Sequence, residues 1–369
     1  MNKLTCTAIT LATAGTVANA GGIELTNQSI AALFEQGNYV EFSFGSINPS
    51  VSGTQVGTIP PALTGSSSGD LAEGLEYVGV ALKFALTDKI DTALILDRPY
   101  GAEIAYPTGT GYFAGGAMAT LRSTAVTAIG RYKFTDNISA YAGIRQQSLN
   151  AEAFIPFVAG WTGSTETDHS FGYLVGAAYE KPEIALRVAL TYHSSISHDL
   201  PTTETSPLGA GNTSIMEVNT PQAINLDFQT GVAPGTLVFG QVRWVDWSEF
   251  DISPADYGTL TGGQSLVSYE DDTFTYTLGV GRQLTENWAL SGFGVYEPGT
   301  GGFKSNLFPP DGRTAVGVAV TYTQDNFKLQ AGLQHVWFGD GTTQVGGAPA
   351  GEFTENTAVA FGLKAGFSF

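Results

Sequence analysis

Residues 274–287 read FTYTLGVGRQLTEN, and this pattern decides the fold class. Large apolar side chains alternate with threonine and glycine, and a Thr-Glu-Asn turn follows. A side-chain period of two is typical of a β-strand whose two faces meet different surroundings. Because the second face is small and uncharged rather than rich in lysine and glutamate, the stretch favours a barrel wall in lipid over a soluble sheet.

The same alternation recurs along the chain, for example in residues 77–86 and 184–193. Short polar turns separate pairs of such strands. Their Asp and Asn side chains bond to the nearby backbone, and Pro and Gly supply the special backbone angles. The six turns lie at residues 87–89, 135–137, 180–183, 233–235, 285–287 and 324–326.

The spacing of the turns gives the number of strands. An interval of about 40 to 50 residues holds two membrane strands and one longer loop. Six turns join twelve strands, and one more strand is expected at each end, near residues 38–49 and 356–369. The sequence therefore predicts an all-β fold, a transmembrane antiparallel β-barrel of about 14 strands with short periplasmic turns. Long loops are expected on the other side, at about residues 50–73, 101–118, 151–168, 197–216, 248–271, 298–312 and 339–354.

The composition agrees with a barrel wall in a membrane. Only 14% of the 369 residues are charged, against roughly 25% in ordinary soluble domains. The 34 acidic and 16 basic residues give a formal net charge of −18. Such a chain speaks against a nucleic-acid partner, because that function needs a basic patch.

The N-terminus has the features of an export signal: a basic start at Lys3, an apolar stretch over residues 4–17 and the cleavage pattern Ala18-Asn19-Ala20. We therefore expect residues 1–20 to be a signal peptide and Gly21 to begin the mature chain. The only cysteine, Cys6, lies in this segment, so no disulfide or thiolate metal site is expected. Export without cysteine predicts the outer membrane of a Gram-negative bacterium.

The C-terminal strand ends on an aromatic residue. Apolar side chains alternate from Val359 to Phe369. Phe367 and Phe369 are therefore predicted to form the signal that the barrel assembly machinery of the outer membrane recognises. A strand that closes a barrel needs the same alternation in any case.

Several stretches, taken in order, resemble the long-chain fatty-acid transporters of the outer membrane (FadL type), a family that includes aromatic-hydrocarbon channels. No single stretch is decisive, but together they cover nearly the whole mature chain. They are residues 32–39, 48–53, 192–200 and 244–250, and the strand order around 278–296 and 312–322.

The resemblance implies a monomeric fourteen-stranded barrel plugged by an N-terminal hatch. It implies passive uptake of hydrophobic small molecules, above all long-chain fatty acids, amid outer-membrane lipid and lipopolysaccharide. The chain departs from the family in one respect, because only residues 21–37 precede the barrel at 38–369 and Gln28-Ser29-Ile30-Ala31 replaces the usual Asn-Pro-Ala element. We therefore expect a short plug.

Strand three carries the sequence Leu96-Asp97-Arg98-Pro99-Tyr100-Gly101. Proline cannot donate a ladder hydrogen bond and is excluded from central strands, and in a closed barrel every strand is central. Pro99 beside Gly101 therefore predicts a kink or an opening in the wall, and the resemblance implies that such a kink is a lateral gate. The alternative places Pro99 in the loop after the strand.

Arginine is the natural partner of a carboxylate. Five arginines fall in predicted strands, where each contacts either substrate or an acidic side chain of the chain itself: Arg98, Arg122, Arg145, Arg187 and Arg243. The candidate substrate-binding residues are Arg98, Pro99, Tyr100, Gly101 and Arg187.

Residues 246–272 contain seven carboxylates and no lysine or arginine. Glu270, Asp271 and Asp272 are weak candidates for a divalent cation, and the alternative is a solvated acidic loop. His193 and His198 lie beside serines, but residues this close on one strand end do not form a catalytic triad. No enzymatic activity and no cofactor are expected.

Two other functions remain open at this point. A porin for small polar solutes would need opposed charges at a constriction, and the sequence offers none that can be recognised. A structural or adhesive barrel would use its loops to bind surfaces. A lumen lined by Phe, Leu and Tyr would favour the hydrophobic channel over both.

Overall fold

The structure is a computed structural model that describes residues 23–59 and 64–369. The expected signal peptide, with Cys6 and the cleavage pattern, lies outside the described residues. No helix in the described ranges is long and apolar enough to cross a membrane.

Fourteen antiparallel strands form a closed barrel, because the first strand pairs with both the second and the last. This confirms the predicted fold class and strand number. The strands are β1 (Tyr39–Ser50), β2 (Leu75–Ala85), β3 (Ile90–Asp97), β4 (Met118–Lys133), β5 (Ile138–Ile155), β6 (Asp168–Lys181), β7 (Leu186–His193), β8 (Ala223–Ala233), β9 (Thr236–Val245), β10 (Thr273–Gln283), β11 (Trp288–Glu297), β12 (Arg313–Gln324), β13 (Phe327–Phe338) and β14 (Thr357–Ser368).

The alternation read from the sequence sets the two faces of the wall. Val78 and Leu278 keep 61% and 60% of their surface exposed on the outside. Lys83 and Arg243 are 2% exposed and lie on the inner face. A charged group is tolerated on that face because partners and water are available there, whereas the outer face must be apolar.

All six predicted turns join neighbouring strands directly. The two shortest lie between Ala233 and Thr236 and between Gln324 and Phe327, and the turn at 182–184 is a single 3-10 turn. Side chains close several of them, since Thr135 Oγ1 accepts hydrogen bonds from the N–H groups of Asn137 and Ile138 at 3.2 and 3.0 Å. Both ends of the barrel chain therefore lie on the side of these short turns.

The long loops are more ordered than the sequence suggests. Residues 197–216 fall in a hairpin formed by Ile196–Ser206 and Gly209–Thr220, and 151–168 contains the end of β5 and the strand Trp161–Thr165. At these two places, and at 339–354 where Gly341–Val345 pairs with Ala348–Phe353, the predicted long loops are paired strands. Polar strands beyond the membrane can still pair their backbone groups with each other, so polarity does not indicate a loop there.

Smaller elements cover the same end of the barrel. They are the strands Thr54–Gln55, Gly101–Ala105, Asp251–Ile252, Val267–Ser268, Phe303–Lys304, Gly341–Val345 and Ala348–Phe353, the helix Ala255–Thr261 and the 3-10 turn Trp247–Glu249. Residues 23–38 precede β1 and include the 3-10 turn Ala31–Phe34. We call residues 23–38 the N-terminal segment.

Candidate transport site

Strand β3 is interrupted at Arg98–Tyr100. Its ladder with β2 runs from Ala85 and Asp91 up to Val80 and Leu96 and ends there. On the other side, β4 pairs with β3 and then again with Gly101–Ala105 beyond the interruption. Pro99 therefore lies within the wall between two paired segments and not in the following loop.

The N-terminal segment supplies the hydrogen bonds that the wall lacks at this point. Leu25 N donates to Pro99 O at 2.8 Å, and Gly101 N donates to Ile23 O at 2.8 Å. Tyr100 N donates to Ser123 Oγ at 2.8 Å, and that hydroxyl donates back to Tyr100 O at 2.7 Å. The interrupted strand thus bonds to a chain inside the lumen, which satisfies backbone groups that lipid could not.

A gap remains between β2 and β3 above the last ladder pair. Arg98 Nη1 crosses it and donates to Glu76 O at 2.7 Å. Higher up, Glu73 N donates to Glu103 O at 3.1 Å. We call this opening, between the pair Val80–Leu96 below and Arg98 above, the wall gap.

A cavity of about 80 Å³ lies directly behind the wall gap. Gly79, Leu96 and Asp97 line it from the wall, and Thr26 and Asn27 line it from the N-terminal segment. Lys364 and Glu41 form an ion pair of 2.9 Å on its far side. We call it the gap chamber.

Two predicted arginines hold the N-terminal segment in place. Arg243 Nε donates to Glu24 Oε2 at 3.0 Å, and its guanidinium also bonds to Asn225. Arg145 pairs with Asp97 at 3.0 Å and also contacts Gln28. Both arginines therefore contact acidic side chains of the chain itself, which is the second of the two alternatives given for them above.

The two other predicted arginines have partners of their own. Arg122 is exposed and pairs with Glu152 at 3.7 Å. Arg187 lies over the ring of Phe34 at 4.7 Å and lines a separate cavity beside Gln229. The structure therefore brings Arg98, Pro99, Tyr100 and Gly101 together at the wall gap and leaves Arg187 elsewhere.

Tyr100 closes the lumen beside the N-terminal segment. It is buried, and its ring meets Trp247 edge to face with centroids 6.0 Å apart. Gln28 Nε2 donates to its hydroxyl at 3.1 Å. Leu25 and Tyr100 thus separate the gap chamber from the space above.

An apolar cavity of about 60 Å³, which we call the upper cavity, lies above this closure and was not predicted from the sequence. Its walls come from distant parts of the chain and include Ile23, Leu121, Trp161, Met216, Phe250 and Leu307. The signal that was available is the run of apolar residues in the acidic segment, namely Phe250, Ile252, Leu266 and Val267. All four line the cavity. Burial raises the pKa of the Tyr269 hydroxyl, which also lines the cavity.

Two of the remaining candidates, Asp272 and His198, have structural partners. Trp244 Nε1 donates to Asp272 Oδ2 at 3.0 Å. Within residues 23–59 and 64–369, no group of three or more His, Cys, Asp or Glu side chains is arranged to hold a metal ion. His198 Nδ1 lies 2.8 Å from Asp168 Oδ2.

Comparison with known proteins identifies a family and several solved structures that this chain resembles. The sequence model of a family described as outer membrane protein transport protein (OMPP1/FadL/TodX) matches residues 1–369. No curated protein matches the chain. Among solved structures, a FadL homologue from Pseudomonas aeruginosa has a TM-score of 0.75 and 15% identity, over 95% of this chain and 96% of that one.

Two toluene transporters are also similar. TbuX from Ralstonia pickettii has a TM-score of 0.64 and 11% identity, over 96% of this chain and 97% of that one. TodX from Pseudomonas putida has a TM-score of 0.61 and 12% identity, over 96% and 98%. At these identities the likeness concerns the fold.

Proposed function

Because the chain belongs to the OMPP1/FadL/TodX family of outer membrane transport proteins, we propose that it takes up hydrophobic compounds passively and releases them sideways through the wall gap. The family and the barrel place the protein in the outer membrane of a Gram-negative bacterium. The observation that carries the proposal is the ladder between β2 and β3, which ends at Val80 and Leu96 in front of the gap chamber. One chain closes its own barrel, so the proposed channel works as a monomer.

The proposed route has three stages. A hydrophobic molecule binds in the upper cavity, passes Leu25 and Tyr100, and reaches the gap chamber. From there it leaves through the wall gap into the outer leaflet. Transfer of apolar surface from water to lipid is favourable, so this route needs no other energy source.

Passage requires a wall of the upper cavity to move. The cavity holds about 60 Å³, and a cavity that admits benzene needs roughly 150 Å³. Ile23 lines it, and two backbone hydrogen bonds hold residues 23–25 against Pro99 and Gly101. We propose that this short N-terminal segment is the plug and that its displacement joins the two cavities.

Two substrate classes fit the proposed route. The resemblance to fatty-acid transporters suggests long-chain fatty acids, and the toluene transporters among the similar structures suggest uncharged hydrocarbons. The apolar lining of the upper cavity favours both over the polar solutes of a porin. A structural barrel would have no use for a cavity beside an interrupted wall.

The test is to close the wall gap. Pro99→Val restores an N–H group and a strand-forming residue at the interruption, so uptake of a labelled hydrophobic compound should fall at least roughly tenfold at equal protein level. Pro201→Val is the matched control, because Pro201 lies in the hairpin of the extracellular side, away from β3. Parental uptake by the Pro99→Val variant would overturn the lateral route.

A further inference from the structure

Among the residues that the structure describes, those that line the upper cavity include no lysine, arginine or histidine. Its one charged residue is Glu152, whose carboxylate accepts a hydrogen bond from Thr120 Oγ1 at 3.1 Å and pairs with Arg122. A ligand carboxylate in this cavity would therefore find no cation to bind.

Two cations elsewhere at this end of the barrel already have acidic partners. Lys304 pairs with Asp311 at 3.0 Å, and Arg313 pairs with Glu297 at 3.3 Å. Neither lines the upper cavity. Recruiting either one to a ligand would leave an acidic group of the chain unpaired.

The acidic segment 246–272 forms one wall of the same cavity. Phe250, Ile252 and Val267 turn inward, while Glu249 and Glu270 are exposed. No lysine or arginine occurs from residue 244 to 281. This wall therefore carries exposed negative charge on one side and apolar side chains on the side of the cavity, an arrangement that repels anions.

We infer that the upper cavity and this acidic segment together form a charge filter, which admits hydrophobic molecules in their uncharged form and excludes carboxylates. The inference rests on the proposed function and narrows its substrate class. A fatty acid enters in its protonated form, and alcohols and hydrocarbons of similar length enter freely. Two effects add: repulsion slows the approach of an anion, and burying an unpaired carboxylate opposes its binding.

The first experiment compares decanol with decanoate on the purified full-length barrel. At neutral pH and low salt, decanol should displace a labelled alcohol at a concentration at least roughly tenfold lower than decanoate, a difference of about 1.4 kcal/mol. Below the pKa of the fatty acid the two ligands should bind alike. Equal affinity at neutral pH would overturn the filter, whereas failure of both ligands to bind would overturn the proposed function.

A variant of the lining separates charge from size. Met216 is buried and lines the cavity, so Met216→Lys places a cation there and Met216→Gln is the uncharged control of similar length. The lysine variant should gain decanoate binding at neutral pH, and the glutamine variant should not. The filter is overturned if neither variant changes the preference while both still bind decanol.

The acidic segment can be tested without altering the lining. Glu270 and Asp271 are exposed and uninvolved in ion pairs within the described residues. Glu270→Gln with Asp271→Asn should raise the association rate of decanoate relative to that of decanol, and added salt should do the same in the parent. If neither the double substitution nor added salt changes the association rate of decanoate, the acidic segment is not part of the filter.

Discussion

Position 101 in the interrupted strand accepts only glycine, and its neighbour Leu25 is the reason. A Cβ at position 101 would lie 2.5 Å from Leu25 Cδ1 and 3.5 Å from Leu121 O. Leu25 is 1% exposed and cannot turn into solvent. The wall and the N-terminal segment therefore approach each other only because position 101 lacks a side chain.

We expect Gly101→Ala to destabilise the protein by about 1 to 3 kcal/mol, the usual range for an overfilled core. The measurement is thermal unfolding in detergent. Leu25→Ala removes the side chain that the new methyl would meet, so Gly101→Ala should cost less in that background than in the parent.

Gly130 in β4 is the matched control, since nothing lies within 4 Å of a Cβ built there. Gly130→Ala should leave stability unchanged or raise it, because glycine weakens a strand interior. If both alanine variants lose the same amount of stability, the cause is the replacement of a strand glycine in general and not the contact with Leu25.

Sequence could reveal Pro99 but not the partner of Gly101. The restriction on proline is local, so it is visible in Leu96–Gly101 alone. Leu25 is 76 residues earlier in the chain than Gly101, and nothing local indicates that the two meet. The same limit applies to Arg145 and Arg243, whose acidic partners depend on how the barrel closes around residues 23–38.

Ion pairs and single hydrogen bonds, and not a strand ladder, hold the N-terminal segment inside the barrel. Ion pairs fix it near both ends, with Glu24 bound to Arg243 and Glu35 bound to Lys328 at 3.0 Å. Lys83 also donates to Gly37 O at 2.7 Å. A segment held by a few specific contacts rather than by a strand ladder can leave its place without unfolding the barrel.

We expect Arg243→Met to loosen this segment, because the Glu24 carboxyl group then lies in a largely buried place without its cationic partner. Removal of one partner from a buried ion pair commonly costs about 3 to 5 kcal/mol, and less here since Glu24 retains some solvent contact. The readouts are thermal unfolding and protease cleavage after residue 23. Adding Glu24→Leu should recover much of the stability.

An intact segment in the single variant, with parental protease resistance, would show that the backbone bonds to Pro99 and Gly101 suffice. Arg122→Met is a suitable control for loss of an arginine, because both side chains of its pair with Glu152 are about half exposed. Exposed pairs contribute about 0 to 1 kcal/mol.

Elements were predictable where the membrane imposes a simple rule. Apolar alternation and polar turns located the strands of the wall, since lipid demands both. The hairpin 196–220 was misjudged because its composition is polar. Its alternation was nonetheless present, and Ile196, His198, Leu200, Thr202 and Glu204 are all buried on one face.

At the scale of the whole molecule, closure joins the two ends of the barrel chain. β1 and β14 pair from Tyr39 and Ser368 to Ser50 and Thr357. Beyond the ladder, Phe369 N donates to Asn38 O at 3.0 Å. The upper cavity likewise depends on closure, which is why its lining, drawn from separate loops, escaped prediction from sequence.

The terminal aromatic residue separates assembly from stability. Phe369 is 60% exposed, and its main side-chain contact is an edge-to-face pair with Phe84 at 6.3 Å. Such a pair contributes about 0.5 to 1.5 kcal/mol. Deletion of Phe369 should therefore lower the thermal stability of folded barrel only slightly, yet strongly reduce the amount that reaches the outer membrane. The measurement is the fraction of heat-modifiable protein in isolated outer membranes.

Phe84→Ala is the control, because it removes the same ring pair and leaves the C-terminus intact. This variant should insert at nearly the parental level. If the two variants show the same fraction of folded protein in the outer membrane, Phe369 contributes only through its ring pair with Phe84. The assembly signal then lies elsewhere in the C-terminal strand.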